Sequence, residues 1–228
     1  MEKALLREVP LFSDLSEEEM RSISEITVTR KYPKNAVILM ADEEGDTMFV
    51  ISRGRVKVSL LGEDGSEVIL SLLGIGQFFG EMSLLDGKPR SATVTAIEDS
   101  EVILLRRPDF LRSLERIPRI AVKLLSFLTG RLRKADQQIE NLALRNVSGR
   151  VAATLIQLAE EQGTETDEGI VITDRPTHQD LGNMAGTTRE TVSRVLKRFE
   201  REGYIASRGR DLIILGERDL RQDFLCSA

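Results

Sequence analysis

Residues 177–205 hold the side chains with the most directed chemistry in this 228-residue sequence. Thr177 with Asp180, and Thr187 with Glu190, have the spacing of a helix start, in which a hydroxyl accepts from a backbone N–H three residues on. Gly186 lies between them, so the segment reads as a short helix, a tight turn and a second helix. In the second helix Val192, Val195, Leu196 and Phe199 fall at i, i+3, i+4 and i+7 and predict one buried stripe. Glu190, Arg194 and Lys197 share another face, with Arg189 at its N-terminal edge. An arginine fork can grip guanine O6 and N7, and a carboxylate can accept from cytosine N4. A carboxylate is costly on a helix that binds only phosphates, so Glu190 favours base readout in a DNA groove. Glu190 could equally cap its own helix, and the two roles compete for one side chain.

After that helix, Tyr204–Ala206, Arg208-Gly209-Arg210 and Leu212–Leu215 read as a β-hairpin with a basic tip, a wing whose Arg208 and Arg210 could contact phosphates. The charge distribution agrees. The chain has 32 basic and 37 acidic residues, a net charge of −5, which excludes a uniformly basic nucleic-acid coat protein. Residues 1–118 carry −6 and residues 119–228 carry +1, while 187–210 alone hold 7 basic residues against 3 acidic ones. The basic excess is confined to the stretch with the groove-reading pattern.

The elements that must position these groups change in period along the chain. Short runs rich in Val, Ile, Thr and Leu recur at 26–30, 37–40, 48–52, 56–61, 68–73, 92–97 and 101–105, separated by turn signals such as Glu43-Glu44-Gly45-Asp46 and Asp64-Gly65. Strands at this spacing predict a sandwich, roll or barrel. Pro108-Asp109 opens a short helix, and Pro118 starts another. On the latter, Leu125, Leu128, Leu132, Ala135, Ile139 and Leu142 alternate steps of 3 and 4, the spacing of a coiled-coil dimer seam. A long helix packed on its own domain is the alternative. A break follows at 146–149, then an amphipathic helix over 150–161, then an acidic loop or hairpin over 160–174 with six carboxylates. The tail after Gly216 gives no signal.

One histidine, His178, and one cysteine, Cys226, leave no donor set for the common Cys/His zinc sites and no intramolecular disulfide framework. No metal is expected. No apolar stretch is long enough for a membrane span, and the first residues lack a signal-peptide core, so the expected location is the cytoplasm.

The helix-turn-helix residues, the wing and the preceding roll together resemble the cyclic-AMP receptor protein and fumarate-nitrate-reductase regulator family of bacterial transcription factors, over nearly the whole chain. Arg189-Glu190-Thr191-Val192-Ser193-Arg194 is similar to the family's recognition-helix core. The resemblance implies an α+β fold. Its parts would be an N-terminal, jelly-roll-like β-roll that binds a cyclic nucleotide (1–117), a long dimerisation helix (118–145) and a C-terminal winged helix-turn-helix (146–228). It implies that Arg189, Glu190 and Arg194 read TGTGA-like half-sites in a palindrome, and that Ser148, His178, Gln179, Thr191 and Lys197 contact the DNA backbone. For His178, an exposed helix-start residue is the alternative. RNA polymerase would be a partner if the protein activates, and the acidic 160–174 segment lies where family members can touch it.

Phe79 to Leu85 and Asp86 to Thr93 resemble the family's phosphate-binding cassette. Gly80 would let backbone N–H groups approach an anion. Arg90 would give a charged fork and Ser91 a hydroxyl to the phosphate, and Glu81 would accept from the ribose 2′-OH. A structural Glu81–Arg90 ion pair is the alternative. Leu70, Ser71 and Leu73 match pocket-wall positions, or are plain core. The adenine contacts would fall to Ala135 and Asp136, a departure from the family's hydroxyl residues, since Ala135 has no side-chain hydrogen bond to offer. Cyclic AMP is thus the implied effector. A different nucleotide, an organic acid or constitutive DNA binding with a vestigial pocket are the competitors. Iron–sulfur and haem sensing lack the cysteine and histidine ligands they need in the sensor domain. Nucleotide hydrolysis lacks paired metal ligands or a general base, so no enzyme is expected.

Overall fold

The structure, a computed structural model, describes residues 6–225; Met1–Leu5 and the lone Cys226 lie outside the described residues. The chain divides into two compact units, 1–132 and 133–228, and the division falls inside one long helix.

Ahead of its strands the first unit carries a helix not expected from the sequence, α1 (Glu17–Glu25). Its capping box is complete: the Glu19 N–H donates to the Ser16 hydroxyl, and the Glu19 carboxylate accepts from the Ser16 N–H at 2.7 Å. Eight strands follow: β1 (Thr27–Tyr32), β2 (Val37–Leu39), β3 (Thr47–Arg53), β4 (Val56–Leu61), β5 (Glu67–Leu73), β6 (Phe78–Phe79), β7 (Thr93–Ala96) and β8 (Ser100–Arg106). They form two antiparallel four-stranded sheets, β1-β8-β3-β6 and β2-β7-β4-β5. All seven expected runs are strands. β6, of two residues, is too short to announce itself.

Alternation in the first sheet builds two cores. Met48 and Val50 of β3, Phe78 of β6, and Ile103 and Leu105 of β8 pack with Leu6, Met20, Phe110 and Ile120. Their neighbours Phe49, Ile51, Phe79 and Val102 point the other way and pack against Val56, Leu73 and Val94 of the second sheet. A sheet covered on both faces explains why β3 reads as one continuous apolar run.

Three helices close the unit: α2 (Glu81–Asp86), α3 (Arg107–Arg116) and α4 (Pro118–Leu144). Along α4, Ile120 and Leu124 are buried. Leu125, Leu132, Ile139 and Leu142 of the expected seam are 55–64% exposed. Leu128 differs from them, being partly buried against the first core, because its position also faces the roll.

The second unit contains α5 (Val147–Gln162), α6 (His178–Ala185), α7 (Arg189–Arg201) and α8 (Glu217–Leu225). Its sheet runs β11 (Ile205–Arg208), β12 (Asp211–Ile214), β10 (Gly169–Ile172), β9 (Thr164–Thr166). The acidic segment is therefore a hairpin. α5 starts three residues earlier than expected, since the Asn146 side chain caps it by accepting from the Gly149 N–H at 3.0 Å. Gly149 is not a break: a Cβ there would stand 3.0 Å from the Phe224 carbonyl oxygen. The supposedly silent tail is α8, whose Leu220 is fully buried and whose Phe224 ring lies 4.8 Å from Phe199.

Phe199 anchors this core. It is fully buried and also meets Tyr204 edge-on at 6.0 Å. Phe199→Ala should destabilise the second unit by about 3–5 kcal/mol, read by urea unfolding followed by far-UV circular dichroism. A loss below about 1 kcal/mol would contradict this packing.

Candidate functional site

Gly80 stands between β6 and α2 with φ 78°, a left-handed conformation that favours glycine. A Cβ there would also meet Arg90 Nη1 at 2.9 Å and the Thr47 carbonyl oxygen at 3.0 Å. Arg90 itself is 5% exposed. Its Nη1 donates to the Gly80 carbonyl and its Nη2 to the Thr47 carbonyl, both at 2.9 Å. Burial lowers its pKa, opposed by the charges of Asp46 and Glu81. Arginine stays cationic and has five N–H donors, so donors remain for an anion. Ser91 is exposed, and its hydroxyl donates to Met82 Sδ at 3.4 Å.

Gly45, legible in the sequence only as a turn residue, is tied to this arginine: a Cβ there would fall 2.0 Å from Arg90 Nε. The atom it would strike is the end of a flexible side chain. A methyl at this position must therefore displace the guanidinium rather than the backbone.

Glu81 is 1% exposed and is the first residue of α2. The alternative of a Glu81–Arg90 ion pair is not what forms. Glu81 Oε1 instead accepts from Arg131 Nη1 at 2.6 Å, while the Arg90 terminal nitrogens donate to carbonyls. Arg131 also donates to the Phe78 carbonyl and lies over the Phe78 and Phe127 rings, at 5.2 and 5.8 Å. The other Glu81 oxygen, Oε2, is buried with no hydrogen-bond partner. Arg131 is not among the residues expected at this site. Its only signal is a cation on the long helix, four residues before Ala135.

The structure thus groups Gly80, Glu81 and Arg90, and adds Arg131. Leu73 is core, while Leu70 and Ser71 are half-buried on β5. Ala135 and Asp136 are exposed on α4 and belong to the second unit.

In the second unit, Thr177 caps α6 as expected, accepting from the Asp180 N–H at 3.1 Å. Gly186 ends that helix at φ 61°. α7 is capped by Thr188, not Thr187: the Thr188 hydroxyl accepts from the Thr191 N–H at 3.3 Å. The one-residue shift moves Glu190 out of the capping-box position. Val192, Val195, Leu196 and Phe199 are the buried stripe, and Arg189, Glu190, Arg194 and Lys197 are exposed. Arg194 Nη2 donates to the Thr191 hydroxyl at 3.1 Å. Gln179 is exposed and bonds Asn183 at 2.9 Å, and Ser148 is half-buried in the first turn of α5.

His178 is half-buried rather than exposed. Its Nδ1 lies 2.7 Å from the Ser193 hydroxyl, which ties α6 to α7. Burial lowers its pKa, as do Arg175 and Arg189, against a smaller opposing effect of Glu200. Arg150, also unforeseen, reaches the turn. Its Nε donates to the Ala185 carbonyl at 2.8 Å and its Nη2 to the Gly186 carbonyl at 3.2 Å. The wing arginines are exposed but partnered, Arg208 by Glu168 at 2.7 Å and Arg210 by Asp174 at 2.5 Å.

Residues 29–116 match the model of a cyclic nucleotide-binding domain, and residues 149–223 that of a Crp-like helix-turn-helix domain. The chain is 36% identical over 196 residues to the cyclic AMP receptor protein of Thermus thermophilus, covering 86% of this chain and 88% of that one. It is 35% identical over 190 residues to the cAMP-activated global transcriptional regulator CRP of Haemophilus influenzae, covering 82% and 84%. In fold it is similar to a CooA variant from Carboxydothermus hydrogenoformans, with a TM-score of 0.78 at 23% identity over 88% of this chain and 89% of that one.

Two measurements check the site geometry. Gly45→Ala should lower the melting temperature, because it displaces the buried Arg90 guanidinium from the Gly80 and Thr47 carbonyls, and should also reduce any melting shift given by cyclic AMP. An undiminished shift would disconnect Arg90 from the ligand. For His178, the lowered folded-state pKa means that its contribution to stability is present above its unfolded value, about 6.5, and is lost as pH falls through the folded value. His178→Gln should therefore flatten the fall in stability between about pH 7.5 and about pH 5; an unchanged pH profile would contradict the assignment.

Proposed function

The chain belongs to the cyclic-AMP receptor protein and fumarate-nitrate-reductase regulator family of DNA-binding transcription regulators, and from that premise we propose that it acts in the cytoplasm as a homodimer gated by cyclic AMP. The observation that carries the effector reading is Glu81 Oε2, a buried acceptor without a donor, beside a glycine turn and a buried arginine. A ribose 2′-OH would donate to that oxygen, and the N–H groups of Arg90 with the Ser91 hydroxyl would face the phosphate. Ala135 and Asp136 would meet the base.

Dimerisation is supported by Leu125, Leu132, Ile139 and Leu142, whose apolar side chains stay more than half exposed on one helical stripe. Arg189, Glu190 and Arg194 would read TGTGA-like half-sites. This is supported by their exposure and by the Thr188 cap, which leaves Glu190 available for a base. Ser148, His178, Gln179, Thr191, Lys197 and the two wing arginines would meet the backbone, and RNA polymerase would be the partner in activation. The ligand works by binding one arrangement of the dimer better than the other. A constitutive regulator is the second reading, favoured by the engagement of both Arg90 terminal nitrogens with backbone carbonyls.

Fluorescence anisotropy of a labelled TGTGA-N6-TCACA duplex beside a scrambled one, at fixed salt and with or without cyclic AMP, separates these readings. Selective, ligand-dependent binding is expected, with each of Arg189→Ala, Glu190→Ala and Arg194→Ala costing about 1–3 kcal/mol on the palindrome. Selective binding indifferent to cyclic AMP would favour the constitutive reading, and binding without selectivity would reject the half-site.

A further inference from the structure

The basic residues of the second unit fall into two electrostatic classes. Arg189, Arg194 and Lys197, on the recognition face, form no ion pair among the described residues. Arg208 and Arg210, on either side of the wing tip at Gly209, are each held by a carboxylate. Both carboxylates come from the acidic segment that precedes the helix-turn-helix. Among the described residues, the cations on the recognition face are thus free of ion pairs, whereas the two wing arginines are each engaged by a carboxylate.

The wing's carboxylates sit on ordered backbone. Asp174 adopts a left-handed φ of 48°. Its N–H donates to Asp211 Oδ1 at 2.9 Å, and the next N–H, of Arg175, donates to the Arg210 carbonyl at 3.0 Å. The turn that carries Asp174 is therefore bonded to the wing strand itself, whatever Arg210 does. Glu168 stands in the turn between β9 and β10. Its N–H donates to the Thr166 hydroxyl at 3.3 Å, and that hydroxyl donates to the Gly169 carbonyl at 2.8 Å. Both carboxylates are thus carried on turns fixed by their own hydrogen bonds, and each meets a wing arginine.

We propose that Glu168 and Asp174 are intramolecular phosphate mimics that occupy Arg208 and Arg210 and so hold down the sequence-independent part of DNA binding. The inference rests on the DNA-binding reading of the wing. Phosphate contacts supply affinity to any duplex, and base contacts supply the selection. On binding, each wing arginine exchanges a carboxylate for a phosphate, so its net gain is smaller than that of a free arginine. The carboxylates act against every sequence alike, so they lower the affinity for any duplex and leave discrimination to the base contacts.

The test is a double-mutant cycle on the full chain, by anisotropy at low and high salt on the palindromic and scrambled duplexes. Glu168→Gln should tighten binding to both duplexes about two- to fivefold at low salt, the range of an exposed ion pair, with the gain fading at high salt. Arg208→Ala should weaken binding, and Glu168→Gln added to Arg208→Ala should give only the small gain of removing a nearby charge. Asp167→Asn removes the same charge one residue away from an exposed side chain that holds no wing arginine, and should give a smaller gain. Three results would overturn the proposal alone: no gain from Glu168→Gln, an equal gain in the Arg208→Ala background, or an equal gain from Asp167→Asn. Failure of the wild-type chain to bind either duplex at low salt, with and without cyclic AMP, would overturn the DNA reading with it.

Discussion

A carboxylate removed from water must meet a cation or lose its charge, and Glu81, at 1% exposure, meets Arg131. The rest of the first unit is arranged around that pair. Glu81 opens α2, so its position is set by the Gly80 turn at the end of β6. Arg131 comes from α4 and also binds the Phe78 carbonyl, while Phe127, one turn earlier, packs on the Phe78 ring at 4.7 Å. Cassette, strand end and long helix therefore share one buried charge. Removing Arg131 would strand the buried Glu81 carboxylate, which is the costly case, whereas Arg131 keeps access to solvent.

Arg90 solves the same problem differently. It too is buried, yet its fork is neutralised by carbonyl dipoles and an aromatic face rather than by a formal anion. Glycines are needed at positions 45 and 80 because that guanidinium takes the space any Cβ would fill. The DNA-facing unit follows the opposite rule. The groups proposed to read bases are exposed on α7, and the elements around them are fixed by apolar packing and by hydrogen bonds such as those the Arg150 side chain donates to the carbonyls of the turn. A ligand pocket gains from desolvated, pre-set charges, whereas a groove reader needs donors and acceptors at its surface.

What could be read from the sequence follows from the range of the interactions involved. The α7 stripe of Val192, Val195, Leu196 and Phe199 was legible because periodicity is local. The cap was misplaced by one residue because Thr187 and Thr188 are adjacent and chemically equivalent, and only backbone geometry selects Thr188. α8 escaped notice because its burial rests on Leu220 and Phe224 alone in an otherwise polar run. Arg131, Arg150 and the wing pairs share a different reason. Each partner is distant in sequence, 50 residues in the case of Glu81 and Arg131. An arginine on a helix or at a hairpin tip carries no mark that separates a solvated cation from a committed one.

The two oxygens of Glu81 have different energetic roles, and the difference bears on gating. Oε1 is bound to Arg131, while Oε2 is buried without a donor, a condition that costs about 1–3 kcal/mol. On the proposed reading, a ligand hydroxyl donates to Oε2 and recovers that cost without competing for Arg131. Ligand and Arg131 then stabilise the same carboxylate in its buried position, so each favours the other, and linkage makes the effect reciprocal. Because Arg131 belongs to α4, the coupling enters the helix that carries the exposed apolar stripe. Contacts confined to the roll would add affinity equally to both arrangements and shift neither. The switching free energy must therefore come from contacts that include α4, and the Glu81–Arg131 pair is one such contact within the first unit.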